Sequence, residues 1–212
     1  MEKFEKKIEI SYINYISSNS KRPNNINELI KSQEIEVDDS INLTNYSLIT
    51  LENNIWNNTI HKAYHNASTD PNFGEYSIRE KLLSFFFNYT VCLNQYDKFF
   101  TFSSNIHSLF ELKEINDRRE NIVDTVSPYF NQLIQEGLSS GEIEDRVFVQ
   151  DYYINVMLTQ FFLITKYWTE DSSNEKENTD EAVEKSVHLI MDLIGPNFAD
   201  SAFQLAKFIF QK

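Results

Sequence analysis

Residues 25–56 read NINELIKSQEIEVDDSINLTNYSLITLENNIW, and this stretch decides the fold. Asn25 stands where a side-chain oxygen can accept from the open N–H groups of a helix start, and Ile26, Leu29 and Ile30 follow at helical spacing. A turn is predicted at Glu34-Ile35-Glu36, and a second short, polar helix within VDDSINLTN, residues 37–45. From Ser47 a longer helix carries Leu48, Leu51, Ile55, Thr59 and Ala63 at intervals of three and four. Two short helices and a long one, with a turn between the first two, make a helical module.

Upstream, Phe4, Ile8, Tyr12 and Tyr15/Ile16 give one apolar helix face, which SNSKRPN with Pro23 ends. Downstream, NASTDPNFGEY (66–76) separates the module from the remainder. Ser77 and Glu80 form a capping box before KLLSFFFNYTVCL, a run apolar nearly all round and therefore buried on most sides. Further helices are predicted around 105–115 and over 117–136, the latter capped by Gly137 and kinked or broken at Pro128. Two long helices follow, over 144–168 and from Asn178 or Thr179 as cap to Gly195-Pro196, then an amphipathic helix over 200–210. No period-2 pattern bounded by hairpin turns is present. The fold class is all-α with about nine or ten helices, divided into a module at 1–60 and a helical bundle at 61–212.

The chain of 212 residues carries 19 basic and 32 acidic side chains, net −13, with 41% hydrophobic and 14% aromatic residues, enough for a packed core. Four scattered glycines cannot build the phosphate-cradling loops of mononucleotide or dinucleotide sites. A single cysteine, Cys92, excludes an internal disulfide framework and a cysteine-based zinc site. No apolar run approaches the ~18 residues of a membrane span, and MEKFEKKIEI lacks the apolar core of a signal peptide. A cytoplasmic protein without stable membrane insertion is expected.

Over residues 8–56 the helix order, spacing and apolar positions resemble the N-terminal module of the tetracycline-repressor-like (TetR) regulators. The family's second helix corresponds to Asn25-Ile26-x-x-Leu29-Ile30, and its turn to Glu34-Ile35-Glu36. Its Ser-Lys-Glu-x-Leu-Leu helix start corresponds to Ser47-Leu48-Ile49-Thr50-Leu51-Glu52. The resemblance implies a helix-turn-helix module (residues 1–60) and a ligand-binding, dimerising body (61–212). It also implies DNA contacts from Lys21, Arg22, Asn25, Ser40, Asn42, Thr44 and Asn45. The chain departs from the family at the turn, where Glu34 replaces the usual Gly. It departs again in the reading segment 33–45, which holds four acidic residues and no basic one. Residues 1–60 hold six basic against nine acidic side chains, net −3. Since phosphate contacts dominate DNA affinity, operator binding is expected to be weakened or lost. A cationic patch from Lys3, Lys6, Lys7, Lys21 and Arg22 beside the reading segment would reverse that expectation.

A second likeness covers the C-terminal string with Trp168, Asp171, Ser172, Glu177, Thr179, Asp180, Asp192 and Leu193. It is similar to a TetR-like subgroup that includes lipid-binding ubiquinone-biosynthesis accessory proteins. It implies an alternative role, a carrier of a hydrophobic ligand without DNA binding. A terminal amphipathic face from Phe203, Leu205, Ala206, Ile209 and Phe210 would then touch membranes, although only Lys207 and Lys212 supply its cationic side.

Several constellations bear on chemistry. His61 and His65 share a helix face, but Lys62 stands where a zinc protease places its Glu, so two surface histidines are expected. Glu142/Glu144 and Asp171/Glu175 lie in polar stretches where nothing desolvates them, and no catalytic dyad or cofactor is expected. Phe85, Phe86, Tyr89, Cys92, Phe161, Phe162 and Tyr167 are either core or the lining of an apolar ligand pocket between helices. Met157, Phe161, Ile164, Val183, Val187, Ile190 and Met191 have the spacing of a homodimer face across the last two long helices, and the same stripe would serve as intramolecular core. The leading expectation is a non-enzymatic, ligand-responsive homodimeric regulator.

Overall fold

The computed structural model describes residues 2–38, 41–43, 46–105, 112–146 and 152–196. Eight α-helices occur among them: α1 (Glu2–Asn19), α2 (Ile26–Ser32), α3 (Leu48–Ser68), α4 (Ile78–Asn94), α5 (Asp97–Ser104), α6 (Leu112–Ser140), α7 (Tyr153–Glu170) and α8 (Glu177–Ile194). Two 3₁₀ turns, Phe73–Glu75 and Asn174–Lys176, are also present, and the described residues contain no strand. The all-α class holds, with fewer helices than the nine or ten expected. Within the short helix expected at 37–45, residues 37, 38, 41 and 42 are not helical and Leu43 is 3₁₀; its other positions, like the helix expected over 200–210, lie outside the described residues.

Local chemistry explains the boundaries. Asn25 caps α2, its side-chain oxygen accepting from the Glu28 N–H at 3.0 Å. Ser77 and Glu80 cap α4 reciprocally: the Ser77 N–H donates to Glu80 Oε2 at 2.8 Å, and the Glu80 N–H to Ser77 Oγ at 3.3 Å. Helix α6 runs on through Pro128 and past Gly137. Gly137 is not a cap; a Cβ there would lie 2.6 Å from the Ile143 side chain, because the chain folds back and the Ile143 N–H bonds the Gly137 carbonyl. The left-handed position after α6 belongs to Gly141, at φ 79°.

The start of α8 also differs from expectation. Asp171, rather than Asn178 or Thr179, supplies the cap, its Oδ2 accepting from both the backbone N–H and the hydroxyl of Thr179 at 2.8 and 2.7 Å. Burial works against its ionisation, but hydrogen bonds from Ser173 and Thr179 outweigh that and bring the carboxyl down to about 2.

The chain forms two compact units that interleave along the sequence: residues 1–62 with 89–125, and residues 63–88 with 126–212. In the first, Ile8, Tyr12 and Ile16 of α1 are buried, as are Leu29, Leu51, Ile55, Trp56, Phe99 and Phe100. Edge-on ring pairs Tyr12–Phe99 and Trp56–Phe100, with centroids 6.1 and 4.8 Å apart, tie this core together. In the second, Phe85 packs on Tyr129, Phe130 and Phe161 with centroids 4.9, 5.7 and 6.4 Å apart. Helices α7 and α8 pack along each other, and Met157 and Ile164 of the first and Val183 and Val187 of the second are buried.

Candidate functional site

The reading element of a helix-turn-helix module would follow α2. That helix ends in a Schellman arrangement: the Glu34 N–H bonds the Lys31 carbonyl at 3.5 Å and the Ile35 N–H bonds the Ile30 carbonyl at 3.0 Å. Glu34 occupies the left-handed position, φ 48°, that this turn usually gives to glycine. Buried Ile35 anchors the exit. Residues 35–38, 41 and 42 are not helical, and Glu34, Glu36 and Asp38 are exposed. This exit shows an acidic surface where a reading helix would stand.

The cations expected near it are differently placed. Lys6, Lys7 and Lys21 are exposed, whereas the side chain of Lys3 lies outside the described set. Arg22 turns inward: Nη2 and Nε reach Glu52 Oε1 and Oε2 at 2.9 and 3.0 Å, with the guanidinium 5.1 Å from the centroid of the Phe102 ring. Glu52 is 1% exposed, and Arg118 Nη2 stands 2.7 Å from the same Oε1. Tyr12 and Ser103 donate hydroxyls to it at 2.8 and 2.5 Å, and Trp56 Nε1 donates to Ser103 Oγ at 2.8 Å. Burial opposes ionisation of Glu52, but the Arg22 hydrogen bond and the charges of Arg118 and Arg22 hold its carboxyl below the ordinary range. Of the remaining DNA-contact candidates, Asn25 is engaged as the α2 cap and Asn42 is exposed; Ser40, Thr44 and Asn45 lie outside the described residues.

Sequence reading missed Glu52. Its signal was an acid in the row Leu48, Glu52, Trp56, one helical turn apart, at the position where the resembled motif has its second Leu. Nothing in the local pattern names its arginine partners, which lie 30 and 66 residues away.

In the second unit Phe85, Phe86 and Phe161 are fully buried against Phe130, Phe162 is half-buried and Tyr167 exposed. Tyr89 and Cys92, also buried, belong to the first unit. Burial raises the Cys92 thiol, against the charge of Lys62. The stripe Met157, Ile164, Val183, Val187, Ile190 and Met191 is buried within the chain itself. The exposed apolar residues of α7 and α8 are instead Leu163 at 63%, Tyr167 at 45%, Leu189 at 68% and Leu193 at 37%.

Residues 81–209, more than half of the chain, match the family model described as "Tetracyclin repressor-like, C-terminal domain". The chain belongs to the tetracycline-repressor-like family. No curated protein matches it, and no solved structure does. The match runs from the first turn of α4 through α8 and leaves residues 1–80 to the geometry described above.

In this TetR-like chain His61 and His65 are exposed on α3. Among the described residues no group of three or more potential metal ligands gathers, and no helix is long and apolar enough to cross a membrane. Glu142 is committed to structure, its Oε2 accepting the N–H of Ile78 at 2.9 Å at the start of α4.

Proposed function

We propose that this TetR-family protein is a ligand-responsive homodimeric regulator of the cytoplasm whose operator binding is weakened or lost. The observation that carries this reading is the exit from α2, where Glu34, Glu36 and Asp38 are exposed and Arg22 is drawn onto buried Glu52. A DNA-reading module brings a helix N-terminus into the major groove and cations to the phosphates. Here Glu34, Glu36 and Asp38 repel phosphate, and Arg22 reaches it only by giving up its two hydrogen bonds to buried Glu52, which would leave that carboxylate one arginine, Arg118. Residues 1–60 act as the module that remains DNA-binding-like in sequence order, and residues 61–212 bind ligand and dimerise.

The ligand is small and apolar, held among the rings of Phe85, Phe86, Phe161 and Phe162 in the second compact unit. Dimerisation uses α7 and α8, with Leu163, Tyr167, Leu189 and Leu193 meeting a second copy and the buried stripe from Met157 to Met191 behind them. Binding-site selection and gel shift with the protein's own upstream DNA at ~50 mM salt test the DNA arm, since phosphate attraction is strongest there. No shift is expected, and a sequence-specific shift would overturn it.

A second reading, a hydrophobic-ligand accessory protein with no regulatory role, is favoured by the same acidic α2 exit together with the aromatic cluster. Native mass spectrometry of protein purified from its own host, combined with liposome flotation, separates the two. A copurified lipid-like molecule and flotation support the accessory role; a bare chain that stays in the aqueous layer rules it out.

A further inference from the structure

A cavity of about 810 Å³ opens within the first compact unit, walled by α1, by Ile41, Asn42 and Tyr46, and by α3. Its volume falls in the ~300–1,000 Å³ range of sites that enclose small organic molecules. Half-buried Ile41 and Tyr46 give it an accessible apolar side, while Ile8 and Leu51, which also border it, are buried. Glu5 and Glu9, one helical turn apart on α1, give it two carboxylates, and no lysine or arginine is among the described residues that line it.

The carboxylate of Glu9 is fixed: Asn58 Nδ2 donates to both of its oxygens, at 3.1 and 3.2 Å. Each carboxylate oxygen has a second lone pair, so this amide orients the group without exhausting it. The ring of Tyr46 is held edge-on by Phe4 at 5.6 Å between centroids. Like charges at i,i+4 on a helix repel, and half-burying Glu9 sharpens the cost. A cation between them removes it, and an aromatic wall is attractive to a cation as well.

We infer that this cavity binds an organic ammonium ion with an aliphatic or aromatic body, its charged nitrogen at Glu5 and Glu9 and its apolar part against Ile41 and Tyr46. An inorganic cation uses only the carboxylate end, and an anion or neutral lipid meets two carboxylates with no counter-charge. The site is separate from the aromatic cluster of the second unit, and so the inference stands apart from the regulator reading.

Isothermal titration of the full chain with n-octylammonium, against 1-octanol and octanoate, tests it. Saturable one-to-one binding of n-octylammonium is expected, with octanoate silent and octanol at least about tenfold weaker, the loss of one close charge contact. Glu5→Gln, at an exposed position, and Glu5→Gln/Glu9→Gln should each weaken n-octylammonium while leaving octanol unchanged. In parallel, the Asn58 side-chain amide resonances should shift on titration in the unaltered chain. Equal binding of octanol, unchanged affinity in both variants, or no binding up to about 1 mM would each overturn the assignment.

Discussion

Arg22 grips Glu52 with both ends of its guanidinium fork, Nη2 to Oε1 at 2.9 Å and Nε to Oε2 at 3.0 Å, on a carboxylate that is 1% exposed. The pair joins the α1–α2 connection to α3, and Arg118 brings α6 to the same oxygen. A position that an apolar row would fill with leucine is thus an ion cluster, and one of the chain's few N-terminal cations is built into the interior.

Replacing Glu52 by Leu leaves two arginines facing a buried apolar side chain. The expected cost is ~3–5 kcal/mol, the range for breaking a buried pair by removing one partner. Thermal unfolding should show it as a drop in midpoint of roughly 10 °C. Glu52→Leu combined with Arg22→Met and Arg118→Met should recover most of the loss, because a well-packed apolar replacement of a buried cluster is often close to neutral. A triple variant no better than the single one would show that packing, rather than charge, accounts for the site.

Glu34 sits at φ 48° in the turn after α2. A non-glycine residue there costs roughly 1 kcal/mol, part of which glycine recovers despite its looser unfolded chain. Glu34→Gly should therefore stabilise by ~0.5–1 kcal/mol, raising the melting midpoint by roughly 2 °C. Glu34→Gln keeps the side-chain length and removes the charge; it should leave the midpoint unchanged, which separates backbone conformation from electrostatics.

Asp171 holds the start of α8 and has its folded pKa brought down to about 2, from an ordinary 3.8. With a depressed folded value, its contribution is complete above the unfolded pKa and is lost as pH falls through about 2. Asp171→Asn should destabilise by ~1 kcal/mol at neutral pH, as expected for a lost cap. Urea unfolding at a series of pH values should show the gap between the two proteins closing as pH falls from about 4 to about 2.

Leu163 and Leu189 are 63% and 68% exposed on neighbouring helices. Leu163→Glu/Leu189→Glu places four carboxylates in the proposed twofold interface and leaves the core stripe untouched. Light scattering should give a mass falling from twice the 25.0 kDa chain to a single chain, with the far-UV spectrum unchanged. A variant that keeps the double mass would move the interface elsewhere.

Much of this fold was legible in the sequence because its signals are local. The 3–4 spacing of Ile8, Tyr12 and Ile16, the cap at Asn25 and the Ser77/Glu80 box each involve residues within about one helical turn. What was not legible depends on distant partners. Gly137 reads as a helix stop until Ile143 folds back on it, at which point Gly141 takes the left-handed position. Helices α7 and α8 each carry two apolar rows, and periodicity alone does not say that Met157 and Val187 face inward while Leu163 and Leu189 face out. The composition of residues 33–45 announced their acidity, whereas the capture of Arg22 needed Glu52 from 30 residues away.

The central claim, that the N-terminal module keeps the order of a DNA-reading module without its affinity, is tested most directly by fluorescence anisotropy of labelled upstream DNA titrated with the full chain from ~50 to ~200 mM salt. The account predicts an affinity no tighter than ~10⁻⁴ M, the weak end of non-specific binding, and a nearly flat dependence on salt. A dissociation constant of ~10⁻⁸ M at physiological salt that weakens steeply as salt rises would contradict it.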